Sequence, residues 1–243
     1  MAGALLELES LGKDYGSTVA LRTLTCQVRA GEIVGLLGPN GAGKTTTLKL
    51  LLGLLRPSRG SARFLGLDCT ADARKVKEKI GYTPDEPAFY DFLTGRETVD
   101  FVLNVRGCAS GAWDRMAPLV DRMEFSEALD VAVGGYSHGM KKKLALIVAL
   151  AHDPALLLLD EPTNGLDPPT AARVRALLRA YAERGGGVLV STHLLTMAEQ
   201  LCDRVLVLHE GSLIAEGSPA EVIAASKVGD QATLEDAFLK LVE

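Results

Sequence analysis

Three groups of residues carry chemistry at a spacing that defines it. The first is Gly38-Pro39-Asn40-Gly41-Ala42-Gly43-Lys44-Thr45-Thr46, which fits G-x-x-x-x-G-K-[ST] directly after the apolar run 33–37. Such a loop, set between a buried strand and a helix, turns backbone N–H groups inward around an anion. Lys44 can reach the outer phosphates of a nucleotide, and the Thr45 hydroxyl can bind Mg²⁺. The helix behind it aims its positive dipole end at the same point. The second group is Asp160-Glu161, at the end of the apolar run 155–159. In a parallel sheet that strand end is where a ligand sits. There Asp160 would hold Mg²⁺ through a water, and Glu161 would orient and polarise the water attacking a γ-phosphate. The third is His193, which follows the buried strand 188–191 and projects from the same edge. A neutral imidazole in that place can hydrogen-bond the γ-phosphate and the attacking water.

Weaker signals surround these. Tyr15 lies in the turn Lys13-Asp14-Tyr15-Gly16 upstream of the loop, where its ring can stack on a base or simply pack at a strand end. Ser137 reads as the N-cap of an apolar helix whose start carries Lys141-Lys142-Lys143. Cations there oppose the helix dipole. They either point into solvent or face an anion, most economically nucleotide held by a second copy of the chain. Pro87, Phe89, Tyr90 and Phe92 crowd the irregular stretch 86–94, which is either a packed loop or a docking surface.

To bring these groups together the chain needs a buried sheet. Runs 33–37 and 155–159 are continuously apolar, and 188–191 is apolar up to its closing Ser191, as strands covered on both faces are. Residues 4–10 and 18–28 alternate apolar and polar, as antiparallel strands at the edge of a core do. Shorter strands are expected at 61–67 and 80–84, and helices at 46–55, 72–79 and 170–184, the last with Val174, Leu177, Leu178 and Tyr181 on one face. Thr94 and Glu97 form a capping box opening a helix that stops at Gly107. From there to about residue 151 no β-rich run intervenes, so 94–151 is expected as a helical subdomain inserted in the core. Ser218 to Glu221 is a second capping box, and Leu234, Ala237, Phe238 and Leu241 form one face of a C-terminal helix. The fold class expected is α/β: a P-loop NTPase core with a mainly parallel sheet, an N-terminal antiparallel β edge and an inserted helical subdomain.

Composition narrows the function. A chain of 243 residues buries a substantial core without metals or disulfides. Its four cysteines, Cys26, Cys69, Cys108 and Cys202, include no C-x-x-C pair, which disfavours zinc and thiol redox chemistry and fits a reducing compartment. A net charge of −5 gives no overall footprint for nucleic acid, and no such partner is expected. No apolar run approaches the roughly 18 residues of a membrane span, and the N-terminus lacks a basic region followed by a hydrophobic stretch. The chain is therefore expected in the cytoplasm and not to cross a membrane itself.

The P-loop, the Ser137-x-Gly139 helix start, the leucine-rich strand ending in Asp160-Glu161, Gly165-Leu166-Asp167 and Ser191-Thr192-His193, in that order, resemble the nucleotide-binding domain of ATP-binding cassette (ABC) proteins over nearly the whole chain. The resemblance implies ATP and Mg²⁺. It makes Tyr15 the aromatic that stacks on adenine, Glu161 the catalytic carboxylate and His193 the switch histidine. It places Thr45, Asp160 and Asp85 at the metal. Ser137 and Gly139 match the signature motif, which contacts ATP bound to the opposite subunit, and Asp167 matches the loop that crosses that interface. Two copies, or one copy and a homologous cassette, would sandwich two ATP molecules head to tail. In this light residues 1–226 form the ATPase domain and 227–243 a helical tail.

Two departures matter. The signature usually reads Leu-Ser-Gly-Gly-Gln, whereas this chain has Tyr136-Ser137-His138-Gly139-Met140, and Asp85 stands where the family usually has Gln. Both resemble the branch of exporters whose membrane subunits are of the ABC-2 type. The function implied is an ATP-hydrolysing subunit, peripheral on the cytoplasmic side of the membrane, driving membrane-embedded permease subunits that dock beside Asp85 near Phe89, Tyr90 and Phe92. The alternative is a soluble ABC ATPase acting in assembly or repair without a membrane partner.

Overall fold

The computed structural model describes residues 3–108, 110–229 and 232–242. The first half of the chain forms β1 (Ala4–Tyr15), β2 (Thr18–Arg29), β3 (Ile33–Leu37), α1 (Lys44–Leu51), β4 (Arg59–Phe64), β5 (Leu67–Asp68), α2 (Ala73–Glu78), β6 (Ile80–Thr83), α3 (Gly95–Val105) and α4 (Ala112–Arg122). The second half forms α5 (His138–Leu150), β7 (Leu156–Asp160), α6 (Pro168–Glu183), β8 (Gly187–Thr192), α7 (Leu195–Leu201), β9 (Arg204–His209), β10 (Ser212–Gly217), α8 (Pro219–Ser226) and α9 (Leu234–Val242).

The strands make one sheet in the order β5-β4-β1-β2-β10-β9-β3-β8-β7-β6. Strands β9, β3, β8, β7 and β6 are parallel, while β1 pairs antiparallel with both β2 and β4. The expected parallel core with an antiparallel N-terminal edge is thus present. Every residue of β3, β7 and β8 is buried, because successive side chains point to opposite faces and both faces are covered. Ile33, Leu37, Leu157, Leu159, Val188 and Val190 join one core with α3, α4, α5, α6 and α7. Val34, Leu36, Leu156, Leu158 and Leu189 join the other, with α1, α2 and the antiparallel strands. Each fully buried leucine contributes roughly 1.5–3 kcal/mol, so these alternating runs hold the sheet and fix which strand ends share an edge.

Several boundaries differ from expectation for local reasons. Helix α1 ends at Leu51 rather than residue 55, because Gly53 turns left-handed (φ +61°) with no room for a Cβ, which would lie 2.5 Å from the Cys69 carbonyl. Residues 195–217, to which the pattern above assigns nothing, form α7 and the β9–β10 hairpin. Its two-residue turn, Glu210-Gly211, has positive φ at both positions, the twist that suits a tight hairpin. The inserted helical segment is made of α3, α4 and α5, with turns between α4 and α5, the capping box of Thr94 and Glu97 formed and Ser137 capping α5. Helix α5 nevertheless packs on β6, so the end of the insertion is shared with the sheet. In α9, Leu234 and Ala237 are buried and Phe238 and Leu241 pack on the same core. That face is used within the chain, against α7 and α8. Cys26, Cys69 and Cys202 are buried and Cys108 half-buried; burial pushes the first three thiols up to about 12, so they are inert packing groups.

Candidate functional site

Four strand-to-helix or strand-to-loop connections, after β3, β6, β7 and β8, leave the sheet at one edge. The loop after β3 is the P-loop. Gly38 packs so closely that a Cβ would sit 2.3 Å from the Leu208 carbonyl, at φ +154°, so no other residue fits there. Gly43 caps α1, and Lys44 folds back to donate to the carbonyls of Gly38 (2.7 Å) and Pro39 (3.2 Å). The ammonium thereby holds the loop open around its own N–H groups. Burial pushes the Lys44 pKa below its ordinary value, opposed by the nearby carboxylates of Glu161, Asp160 and Asp85. A cation in a half-dry site facing three carboxylates is a site built to receive phosphate together with a metal ion.

At the end of β7, Asp160 is buried and accepts a hydrogen bond from the Thr45 hydroxyl at 2.9 Å. Burial raises its pKa, and the Ser191 and Thr45 hydroxyls oppose the rise. Next to it Glu161 takes a left-handed backbone, φ +47°, which turns its side chain toward β8. One carboxylate oxygen accepts from the Thr192 hydroxyl (2.8 Å), and the other meets the backbone N–H and Nδ1 of His193 (2.9 and 2.7 Å). The sequence placed Glu161 and His193 on one edge; the structure brings them into direct contact. Thr192, which the sequence did not single out, orients Glu161 and is itself held by the Leu194 N–H (3.0 Å). Its signal was position alone, one residue before His193 at the end of a buried strand.

Asp85, at the end of the β6 segment, forms an ion pair with Lys142 at 3.1 Å, and the same ammonium donates to the Glu161 carbonyl at 2.5 Å. This differs from both expectations for the three lysines. Lys141 reaches Asp91 at 3.4 Å, Lys142 is buried, and Lys143 lies close enough to Asp167 to help lower its pKa, after the larger effect of hydrogen bonds from Thr170. The misplaced cations are thus answered by carboxylates of the chain itself. A helical signal for Lys142 existed: Ala145, Leu146 and Ala149, three, four and seven residues on, are all buried, which puts Lys142 on the inner face.

Ser137 spends its side-chain oxygen on the Met140 N–H (3.2 Å) as the N-cap of α5, and Gly139 in the first turn packs near Leu166. Asp167 caps α6 through the Thr170 N–H at 2.9 Å. Both helix starts are exposed. Tyr15 stands at the tip of the β1–β2 hairpin with about half its surface exposed and the Lys13 ammonium over its ring at 5.3 Å. The start of β2 abuts the P-loop, since a Cβ on Gly43 would meet the Ala20 carbonyl at 2.6 Å. In the loop after Asp85 the aromatics divide. Phe89 packs against the core, while Tyr90 and Phe92 stay exposed and join Phe101 of α3, with ring centroids 5.6 and 6.1 Å from Tyr90. Phe101 was not legible as part of this patch.

The donor set suits Mg²⁺, which takes hard oxygen ligands and keeps most of its shell as water and phosphate. Thr45 and Asp160 present oxygens side by side, and Ser191, the register neighbour of Asp160 on β8, adds a buried hydroxyl beside the same carboxylate. Among the described residues no cluster of three or more His, Cys, Asp or Glu forms a protein cage for a metal.

A P-loop, an acidic strand end and a histidine on one edge of a mixed sheet define a P-loop nucleotide hydrolase. A family model described as ABC transporter matches residues 21–164. The chain belongs to the ABC transporter family and is an ATP-binding, ATP-hydrolysing subunit of it. The ABC transporter ATP-binding protein YdbJ of Bacillus subtilis (strain 168) is 40% identical over 219 residues, covering 90% of this chain and 70% of that protein. The Nod factor export ATP-binding protein I of Burkholderia orbicola (strain AU 1054) is 40% identical over 230 residues, covering 94% and 75%. A solved ATP-binding subunit of an ABC transporter superposes with a TM-score of 0.91 at 31% identity, covering 98% of this chain and 99% of that one.

Proposed function

We propose that this subunit powers an exporter with ABC-2 type membrane subunits. The observation that carries the hydrolytic part is the Glu161–His193 contact at 2.7 Å beside the P-loop. The P-loop N–H groups and Lys44 bind the phosphates of ATP, and Tyr15 stacks on the adenine. Glu161 accepts the proton of the attacking water while Thr192 and His193 fix its direction. Thr45 and Asp160 would hold Mg²⁺, which supplies neutralisation of the phosphate charge when bound. Ser137, Gly139 and Asp167 contact the ATP of a second cassette, so that two nucleotides close a head-to-tail dimer. Asp85 lies beside the site, with one oxygen taken by Lys142.

Export is supported by the 40% identity to a protein named for Nod factor export and by Asp85 and the altered signature. Among the described residues no helix is long and apolar enough to cross a membrane; under this reading these residues sit peripherally on the cytoplasmic face, against membrane-embedded permease subunits. The exposed Tyr90, Phe92 and Phe101 are the surface offered to it. Purification of the tagged chain from gently solubilised membranes of its host tests this directly. A stoichiometric polytopic membrane protein is expected, lost with Phe92→Asp. Recovery from the soluble fraction alone, with soluble partners, would favour an assembly or repair ATPase instead.

A further inference from the structure

Lys142 lies at the centre of a contact that neither the P-loop chemistry nor the family resemblance accounts for. Its side chain is only 4% exposed. A buried ammonium persists when it is both charge-paired and hydrogen-bonded. Its partners come from two other segments: Asp85, which opens the loop leading to Tyr90 and Phe92, and the carbonyl of Glu161. Lys142 itself is in the opening turns of α5, whose first turn carries Ser137 and Gly139. The Glu161 peptide is fixed from both sides. Its N–H donates to the Ser191 carbonyl (2.8 Å), and its carbonyl accepts from the Asn164 N–H (3.2 Å) and from Lys142. Because Glu161 has a left-handed backbone that side chains rarely adopt, that carbonyl contact also fixes where its carboxylate points.

We propose that Lys142 is a positioning residue for Glu161, and that Asp85 is its counter-charge and control. Displacement of the loop after β6 moves Asp85, changes the hold of Lys142 on the Glu161 carbonyl, and so turns the carboxylate toward or away from the attacking water. Asp85 and Lys142 form a matched unit. A neutral residue at position 85 alone leaves the buried ammonium without its carboxylate, whereas neutralising both removes the charge problem together. The inference rests on Glu161 acting in hydrolysis as proposed above.

The test uses the full chain as wild type, Lys142→Gln, Lys142→Arg, Asp85→Asn and the Asp85→Asn/Lys142→Gln double variant. Phosphate release gives kcat and KM for Mg-ATP, a fluorescent ATP analogue gives affinity, and melting temperature gives stability. Lys142→Gln is expected to lower kcat about 10- to 100-fold, the scale of a small misplacement of a reacting group, with KM and analogue affinity within about twofold of wild type. Lys142→Arg should recover most of the turnover. Asp85→Asn should lower kcat without raising KM, and the double variant should match Lys142→Gln rather than the product of the two losses. Wild-type turnover in Lys142→Gln, equal losses of affinity and turnover, or multiplicative single losses would each overturn the proposal. If Lys142→Gln does not fold, Asp85→Asn decides, an unchanged kcat overturning the idea. A wild-type chain that neither binds the analogue nor releases phosphate would defeat the ATPase reading instead. The pair is then judged on melting temperature, where additive effects of Asp85→Asn and Lys142→Gln overturn it.

Discussion

Replacing Glu161 by Gln removes a base while keeping its shape. In the structure the carboxylate accepts from the Thr192 hydroxyl, the His193 N–H and the His193 ring. A Gln side chain can direct its oxygen to the His193 N–H and its amide N–H₂ to the Thr192 oxygen, which has a lone pair to offer. The exchange weakens charge-assisted bonds by roughly 1–2 kcal/mol, small beside a domain stability of about 5–15 kcal/mol, so the variant should fold. Loss of general-base action costs about 10²- to 10⁴-fold in rate. Phosphate release at saturating Mg-ATP should fall by that factor while ATP affinity stays within a few-fold, and added ATP should raise the dimer fraction in light scattering because closure is no longer followed by hydrolysis. Turnover within about threefold of wild type would remove Glu161 from the chemistry, and a strict monomer at saturating ATP would exclude the sandwich for the isolated chain.

Tyr15→Ala should weaken ATP binding by about 5- to 150-fold, the equivalent of one base-stacking contact, with little change in melting temperature because the ring is half exposed; unchanged affinity would leave Tyr15 a packing residue. Gly38→Ala forces a Cβ to 2.3 Å from the Leu208 carbonyl, so both melting temperature and nucleotide binding should drop, and a variant that binds ATP normally would refute the close approach. His152 tests the pH dependence. Its Nε2 meets the Ile80 carbonyl at 3.1 Å, its Nδ1 is buried without a partner, and burial, aided by Arg106, pushes its pKa from 6.5 down to about 4. The folded state therefore binds fewer protons than the unfolded chain between those values, and stability must fall as pH drops from about 6.5 toward about 4. Melting temperature should decline across that window, less steeply in His152→Gln; equal slopes would count against a neutral buried ring.

The local signals of the nucleotide site were legible in the sequence, while those of α7 and the β9–β10 hairpin were not read. The glycine spacing before Lys44 and Thr45 gave the P-loop, and the apolar runs before Gly38, Asp160 and Thr192 gave three strands whose ends share an edge. Caps at Thr94, Ser137 and Ser218 were equally legible, since each depends on residues three apart. What the sequence left open was every pairing made across distance. The hairpin of β9 and β10 places β10 between β2 and β9, a neighbourhood no spacing announces. Phe101 joins Tyr90 only because α3 folds back beside the loop. Glu161 and His193 are 32 residues apart, and Lys142 lies 57 from Asp85 and 19 from Glu161. A run of lysines after a helix cap reads as a solvated or anion-binding face until the sheet order is known. The tertiary structure turns one of them inward, because strand order alone decides which carboxylates and carbonyls arrive beside a given helix turn.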